Sequence, residues 1–258
     1  MNAPADNALF DLTLTDDQRM NRETVQRFAQ ADMRPHAMTA DVDRTTPTGF
    51  YDKTLELGLT LMPIPEALGG AGIDRSPVSN VLNIEDLAHG DLSLALGAVS
   101  PLAFVNTLID QGTDAQKEKY LPRFCGESFC AATTALLEPR ATFDYCDLHC
   151  VASSVDNGYE INGIKTLVPL GLSAELMLVI AKLDDGTPGA FIIEGSPEGL
   201  SRTPETHMGL ASLEVARLEF DKVRVSADAL LGNASLNVER FIDLSNLGIC
   251  ALAVGTCQ

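Results

Sequence analysis

The sequence predicts an α+β protein in three consecutive parts: an all-helical amino-terminal domain, a β-sandwich or barrel middle domain, and the first helix of a helical bundle that does not follow. Three observations carry this. Apolar residues recur at helical spacing, with capping signals, as far as about Gly126. From His149 the period changes to two, and Asp-Asn-Gly and Asp-Asp-Gly turns separate alternating runs. Residues 237–258 then return to helical, apolar character. Helix, β and helix in blocks, with no βαβ rhythm, exclude a dinucleotide-binding doubly wound sheet.

Residues 1–14 read as a flexible leader, 15–126 as the helical domain, 127–235 as the β domain and 236–258 as the final helix. Thr15 and Gln18 have the spacing of a capping box, and Asp16 and Asp17 favour the positive end of the helix dipole. Val25, Phe28 and Ala29 share a face of that helix, which Pro35 is expected to end. A short helix over Phe50 to Leu57 should stop at Gly58. The stretch Met62 to Gly72 contains two prolines and three glycines and is expected to be a loop. A buried helical pair is expected from Val78 to Gln111, interrupted near Gly90 and near Ser100-Pro101. Thr113 and Gln116 repeat the capping box and open a short helix carrying Lys117, Lys119 and Tyr120.

In the β domain, His149 to Val155 and Tyr159 to Leu167 flank Asp156-Asn157-Gly158, and Leu176 to Leu183 and Gly189 to Glu194 flank Asp184-Asp185-Gly186. Val215 to Phe220 and Val223 to Val225 supply further strand. In Asn237 to Gln258, large apolar residues surround the axis. That helix should be buried, its missing wall coming from a partner or from chain beyond Gln258.

A formal net charge of −18 over 258 residues argues against nucleic acid, because phosphate binding needs clustered Lys and Arg. The acidic start lacks the basic and apolar regions of a secretory signal, so a cytoplasmic location is expected. The apolar runs Leu92 to Val105 and Leu244 to Cys257 fall short of the roughly 20 residues that span a bilayer, and both read as buried helix. The six cysteines read as reduced thiols. Cys146, His149 and Cys150 could form half a zinc site, but no second cluster has matching spacing, and no metal is expected.

Taken in order, LGLTLMPIPEALGGAGID (57–74), NIEDLAHGDLSLALGA (83–98), GTDAQKEKYLPRFCGE (112–127), EPRATFD (138–144), YEINGIKTLV (159–168), HMGL (207–210) and LEFDKVRVSADALLG (218–232) resemble successive signatures of the acyl-CoA dehydrogenase family. The resemblance covers nearly the whole chain. It implies a helical first domain, a β middle domain, and FAD held between the middle domain and a four-helix carboxyl-terminal bundle. It also implies a place in fatty acid and lipid metabolism. The implied reaction is dehydrogenation of an acyl-CoA thioester: a glutamate removes the pro-R α-proton and the β-hydride passes to flavin N5. Homo-oligomers, or pairing with a second dehydrogenase-like subunit, are implied as well.

The resemblance places the flavin against Ala135, Leu137, Phe143, Leu167, Val168 and Pro169. Here the sequence departs from the family. Leu137-Glu138-Pro139 and Thr142-Phe143-Asp144 replace Thr-Glu-Pro and Gly-Ser-Asp, and Leu167 and Pro169 replace a Trp and a Thr. The chain has no Trp at all. Either the pocket is remodelled or the site has drifted after loss of use. In the last helix Asn246 takes the place of a family Arg and Ser245 the place of the base that some members carry there. Glu239 and Asp243 read as solvated, and no catalytic residue is assigned. Glu138, Asn162, Lys165 and His89 read as structural and His207 as a surface-loop residue. A degenerate, non-catalytic subunit or acyl-CoA-binding partner is the alternative, and a flavin monooxygenase or nitroalkane oxidase on the same fold is a third.

Overall fold

The computed structural model describes residues 13–258; most of the expected leader lies outside the described residues. Helix α1 (Asp16–Phe28) opens on the Thr15–Gln18 capping box. It continues through a wider π turn (Ala29–Met33) into α2 (Arg34–Asp43). Pro35 therefore does not end the helix. The π turn resets the hydrogen-bond ladder, so Pro35 falls in the first turn of α2, where a missing N–H costs little. Helix α3 (Phe50–Thr54) tightens into a 3₁₀ turn and stops at Gly58, in left-handed conformation. The glycine-rich loop follows, with one 3₁₀ turn at Glu66–Leu68.

The long helical stretch is two helices, α4 (Pro77–Gly90) and α5 (Leu92–Gln111), divided at Gly90 as expected. The second expected break is absent, because α5 runs through Pro101. The ring costs one backbone bond, and burial of Ser100, Pro101, Phe104 and Val105 around it keeps the helix intact. Helix α6 (Asp114–Tyr120) starts on the Thr113–Gln116 box. A half-buried polar strip joins α1 to α4: Arg22 and Gln26 both donate to the buried Asp86 (Nε–Oδ2 2.8 Å and Nε2–Oδ1 3.0 Å), and Asn21 donates to Asn83 at 2.9 Å.

Among the described residues, seven strands form one curled sheet: β1 (Ala132–Ala135), β2 (Val151–Val155), β3 (Gly158–Pro169), β4 (Leu176–Lys182), β5 (Pro188–Glu194), β6 (Leu200–Pro204) and β7 (Val215–Ser226). Both expected hairpins form, β2 with β3 and β4 with β5. Asn157 takes the positive φ that the first turn demands. Strand β1 pairs parallel with β4, and β3 pairs along β7. The two runs expected at 215–225 are a single strand, with Lys222 in left-handed conformation and its N–H bonded to Asn162 Oδ1 at 2.8 Å.

Strand β4 explains how the layers meet. Leu176, Leu178 and Ile180 face Phe104, Val105, Leu108 and Leu121 of the helical part, while Met177, Val179 and Ala181 face the interior of the sheet with Phe191, Ile193 and Leu218. A strand covered on both faces reads as an unbroken apolar run.

Helix α7 (Val238–Cys257) is capped by Asn237 and lies along α4. One stripe, Phe241, Ala251, Leu252 and Gly255, packs against this chain's own helices, while Leu244, Leu247, Ile249 and Val254 are exposed. Gly255 permits the approach, since a Cβ there would lie 2.0 Å from Glu85 O. Both α5 and α7 are 20 residues long, and by length and composition alone each could cross a bilayer. They outrun the apolar runs read in sequence because polar residues at their ends join the helices. Most of α5 is core.

Candidate functional site

A cavity of about 400 Å³ opens where α4, α5 and α7 meet the end of β1 and β3. Its apolar wall comes from Val81 and Ile84 of α4, Leu96, Val99 and Ala103 of α5, and Leu244, Leu247 and Leu252 of α7. Helical spacing produces it: Leu96, Val99, Ala103 and Thr107 lie on one face of α5. Polar groups enter from one side, namely Ser100, Asn106, Thr107, Thr133 and Thr134. Ser100 donates to Ala132 O at 3.2 Å and Thr107 to Ala103 O at 2.6 Å, whereas Asn106 Oδ1 and Thr134 Oγ1 are buried without a partner.

At one end, where α4 and α7 begin, Arg75 and Arg240 share the carboxylate of Asp110. Arg75 Nη1 lies 3.3 Å from Oδ2, and Arg240 Nε lies 3.2 Å from the same oxygen. Among the described residues lining the cavity there is no carboxylate and no histidine. Ser245 lines it, but its hydroxyl bonds back to Phe241 O at 2.8 Å. Glu239 and Asp243 are exposed on the other face of α7. No group in the cavity is placed to remove a proton.

The six residues expected at a flavin fall into three places. Ala135 and Val168 are buried in the interior of the sheet, so their side chains turn away from the cavity. Phe143 packs against the core between helices and sheet, below the Arg140 guanidinium. Leu137, Leu167 and Pro169 come together at the strand ends. The N–H of Thr166 donates to Leu137 O at 2.9 Å, setting Leu137 beside Leu167, and Pro169 lines the cavity. The β3–β7 register shifts between Lys165 and Val168, and in that bulge Leu167 has a φ of 52° and is half exposed.

Glu205, which no local sequence signal marks, closes this edge. Its carboxylate accepts from Leu167 N at 2.6 Å and from Thr166 Oγ1 at 2.5 Å. The ledge is therefore apolar, its nearest N–H donor is already satisfied, and Pro169 has none to offer. These residues do not fit an isoalloxazine ring held by stacking and hydrogen bonds.

Below the ledge, Glu138 is buried and accepts from Lys165 Nζ at 3.0 Å and from the N–H groups of His149 and Cys150 at 2.9 Å each. Burial pushes the Glu138 carboxyl up, but those two N–H groups and the Lys165 ammonium outweigh it and hold the carboxyl below its usual range. Cys150 packs inside the sheet, where burial raises its thiol to about 11, while Cys146 is exposed. Among the described residues no three His, Cys, Asp or Glu gather as a metal cluster. His89 is half-buried, 3.3 Å from an Arg34 nitrogen. His207 lies in a second cavity of about 440 Å³, beside Tyr51 and Arg44, with Nδ1 3.1 Å from Glu205 O.

Residues 15–128 match the family model for the acyl-CoA dehydrogenase N-terminal domain, and residues 133–223 that for the acyl-CoA dehydrogenase middle domain. Mitochondrial isovaleryl-CoA dehydrogenase of Arabidopsis thaliana is 33% identical over 262 residues, covering 97% of this chain and 62% of the relative. Among solved structures, butyryl-CoA dehydrogenase from Megasphaera elsdenii superposes with a TM-score of 0.86 at 28% identity, covering 95% of this chain and 67% of that one. A glutaryl-CoA dehydrogenase from Mycobacterium smegmatis, solved with FADH2, shares the fold at 22% identity, with a TM-score of 0.83 over 94% of this chain and 62% of that one.

Proposed function

This chain belongs to the acyl-CoA dehydrogenase family, and from that premise we propose that it binds an acyl-CoA thioester, as the amino-terminal and middle portion of a dehydrogenase of that family. The observation that carries the reading is the apolar cavity between α4, α5, α7 and the strand ends. It is of a size that small ligands occupy, with few polar groups among aliphatic side chains. The Arg75–Asp110–Arg240 group carries one positive charge in excess, at the end where two helices begin, and favours an anionic ligand.

The chain's own residues bind and orient, and they exclude water along the aliphatic wall. No step is assigned to a flavin on the Leu137–Leu167–Pro169 ledge, because that ledge does not fit the ring. The same observation favours a second reading, a non-catalytic subunit that completes a heteromeric dehydrogenase. The exposed apolar face of α7 supports association, as a homo-oligomer or with a second dehydrogenase-like chain, and we place the protein in the cytoplasm.

Calorimetric titration of the chain with butyryl-CoA tests the binding claim, with Ala103→Trp as the variant that fills the cavity. Saturable heat in the wild type, lost in the variant, is the expected result. Equal binding by a well-folded variant would place the thioester elsewhere.

A further inference from the structure

Arg75 and Arg240 are the only charged side chains among the described residues lining the aliphatic cavity. They stand together because both bond one oxygen: Arg75 Nη1 lies 3.3 Å and Arg240 Nε 3.2 Å from Asp110 Oδ2. Both are open to a ligand, with side chains 26% and 56% exposed, whereas Asp110 between them is 14% exposed. Two cations against one anion leave an excess of positive charge, in a chain whose formal net charge is −18.

The donors are unequally spent. Arg75 places Nη1 and Nη2 on the two Asp110 oxygens, while Arg240 gives Asp110 only its Nε. The two Nη nitrogens of Arg240 bond to no described residue. A guanidinium presents its N–H groups as a planar fork that matches the two oxygens of a carboxylate. Beyond this basic end the wall is aliphatic, with Val81, Ile84, Val99, Ala103 and Leu244. A bare phosphate would leave that wall unused, and a plain fatty acyl chain would leave the fork unused. A ligand that is aliphatic along its length and anionic at its tip uses both.

We propose that the thioester selected by this cavity is a dicarboxylic acid joined to CoA at one end, with its free carboxylate held by Arg240 and Arg75. The inference rests on the thioester reading above and names its substrate class. Arg240 supplies the fork, Arg75 holds Asp110 in place and adds charge, and both determine specificity without taking part in bond breaking.

The test is calorimetric titration of the 258-residue chain with glutaryl-CoA and adipoyl-CoA, with their uncharged counterparts pentanoyl-CoA and hexanoyl-CoA, and with free CoA and free glutarate. It is repeated with Arg240→Gln and with Asp110→Asn, which is nearly isosteric and keeps the test open should Arg240→Gln fail to fold. The expected result is that one dicarboxylic thioester binds about tenfold tighter than its uncharged counterpart, as a hydrogen bond to a charged group provides. Arg240→Gln should abolish that preference. Asp110→Asn should strengthen it, because the competing carboxylate is gone and the Arg75 fork is released, a direction that a merely structural role would not give. Uncharged thioesters binding as tightly as the dicarboxylic ones would overturn the inference and leave the thioester reading standing. A preference unmoved by either variant would overturn the assignment to the arginines. Equal weakening of pentanoyl-CoA and free CoA in Arg240→Gln would mean that the pair holds a phosphate of CoA, and free glutarate binding as tightly as glutaryl-CoA would mean that it holds a free acid; either result overturns the inference. Failure of every thioester to bind would overturn the thioester reading and this inference with it.

Discussion

Lys165 Nζ lies 3.0 Å from Glu138 Oε1, with the two side chains 0% and 2% exposed. The pair fixes the end of β1 to β3 directly beneath the ledge at Leu137 and Leu167, since Lys165 also donates to Leu136 O at 3.0 Å. Removing one partner strands a buried charge. Lys165→Met should cost about 3–5 kcal/mol, and Lys165→Met with Glu138→Leu should recover much of it. Urea denaturation of the two variants checks the order.

The same carboxylate predicts an acid limb. Its folded pKa lies below the unfolded value, which is about 4.3 for a glutamate, so its contribution is complete above that pH and is lost as pH falls through the folded value. Melting temperature against pH should fall more steeply below about pH 4.3 in the wild type than in Glu138→Gln. Parallel curves would remove Glu138 from the acid response.

Much of the fold was legible in the sequence because its signals are local. Capping boxes at Thr15 and Thr113 and the Asp-Asn-Gly turn specify backbone within a few residues. The misjudged points are those where distant packing decides. Pro101 is carried by its buried neighbours, and Pro35 is rescued by a π turn that no composition signals. Strands β1 and β6 are four and five residues long, too short for an alternating pattern to show. Of the site, the motif around Leu137 and Leu167 could be found. Glu205, which satisfies Leu167 N from 38 positions away, and the unpaired Asn106 and Thr134 are properties of tertiary placement alone.

Gly255 sets the distance between α7 and α4. An alanine there meets Glu85 O, and the helix must shift. Gly255→Ala should destabilise the α4–α7 contact by about 1–3 kcal/mol, the usual cost of overpacking. Hydrogen exchange should show lost protection over Val238–Cys257 with the β strands unchanged. Unchanged protection in α7 would mean that the helix is held elsewhere.

The ledge predicts a gain of function. Leu167→Trp with Pro169→Thr supplies an aromatic face, a hydroxyl and a backbone N–H at positions that have none of the three. An aromatic stacking contact is worth about 0.5–1.5 kcal/mol, so FAD affinity should rise about two- to tenfold over the wild type. Quenching of FAD fluorescence measures it, and an unchanged affinity would show that these two positions do not meet the ring.

On the proposed reading, this chain presents a thioester cavity without a flavin cradle. Equilibrium dialysis of the chain against butyryl-CoA and FAD together, with each ligand quantified on the protein, tests both halves at once. The predicted result is stoichiometric thioester with FAD far below one equivalent. Stoichiometric FAD, or no retained thioester, would contradict it.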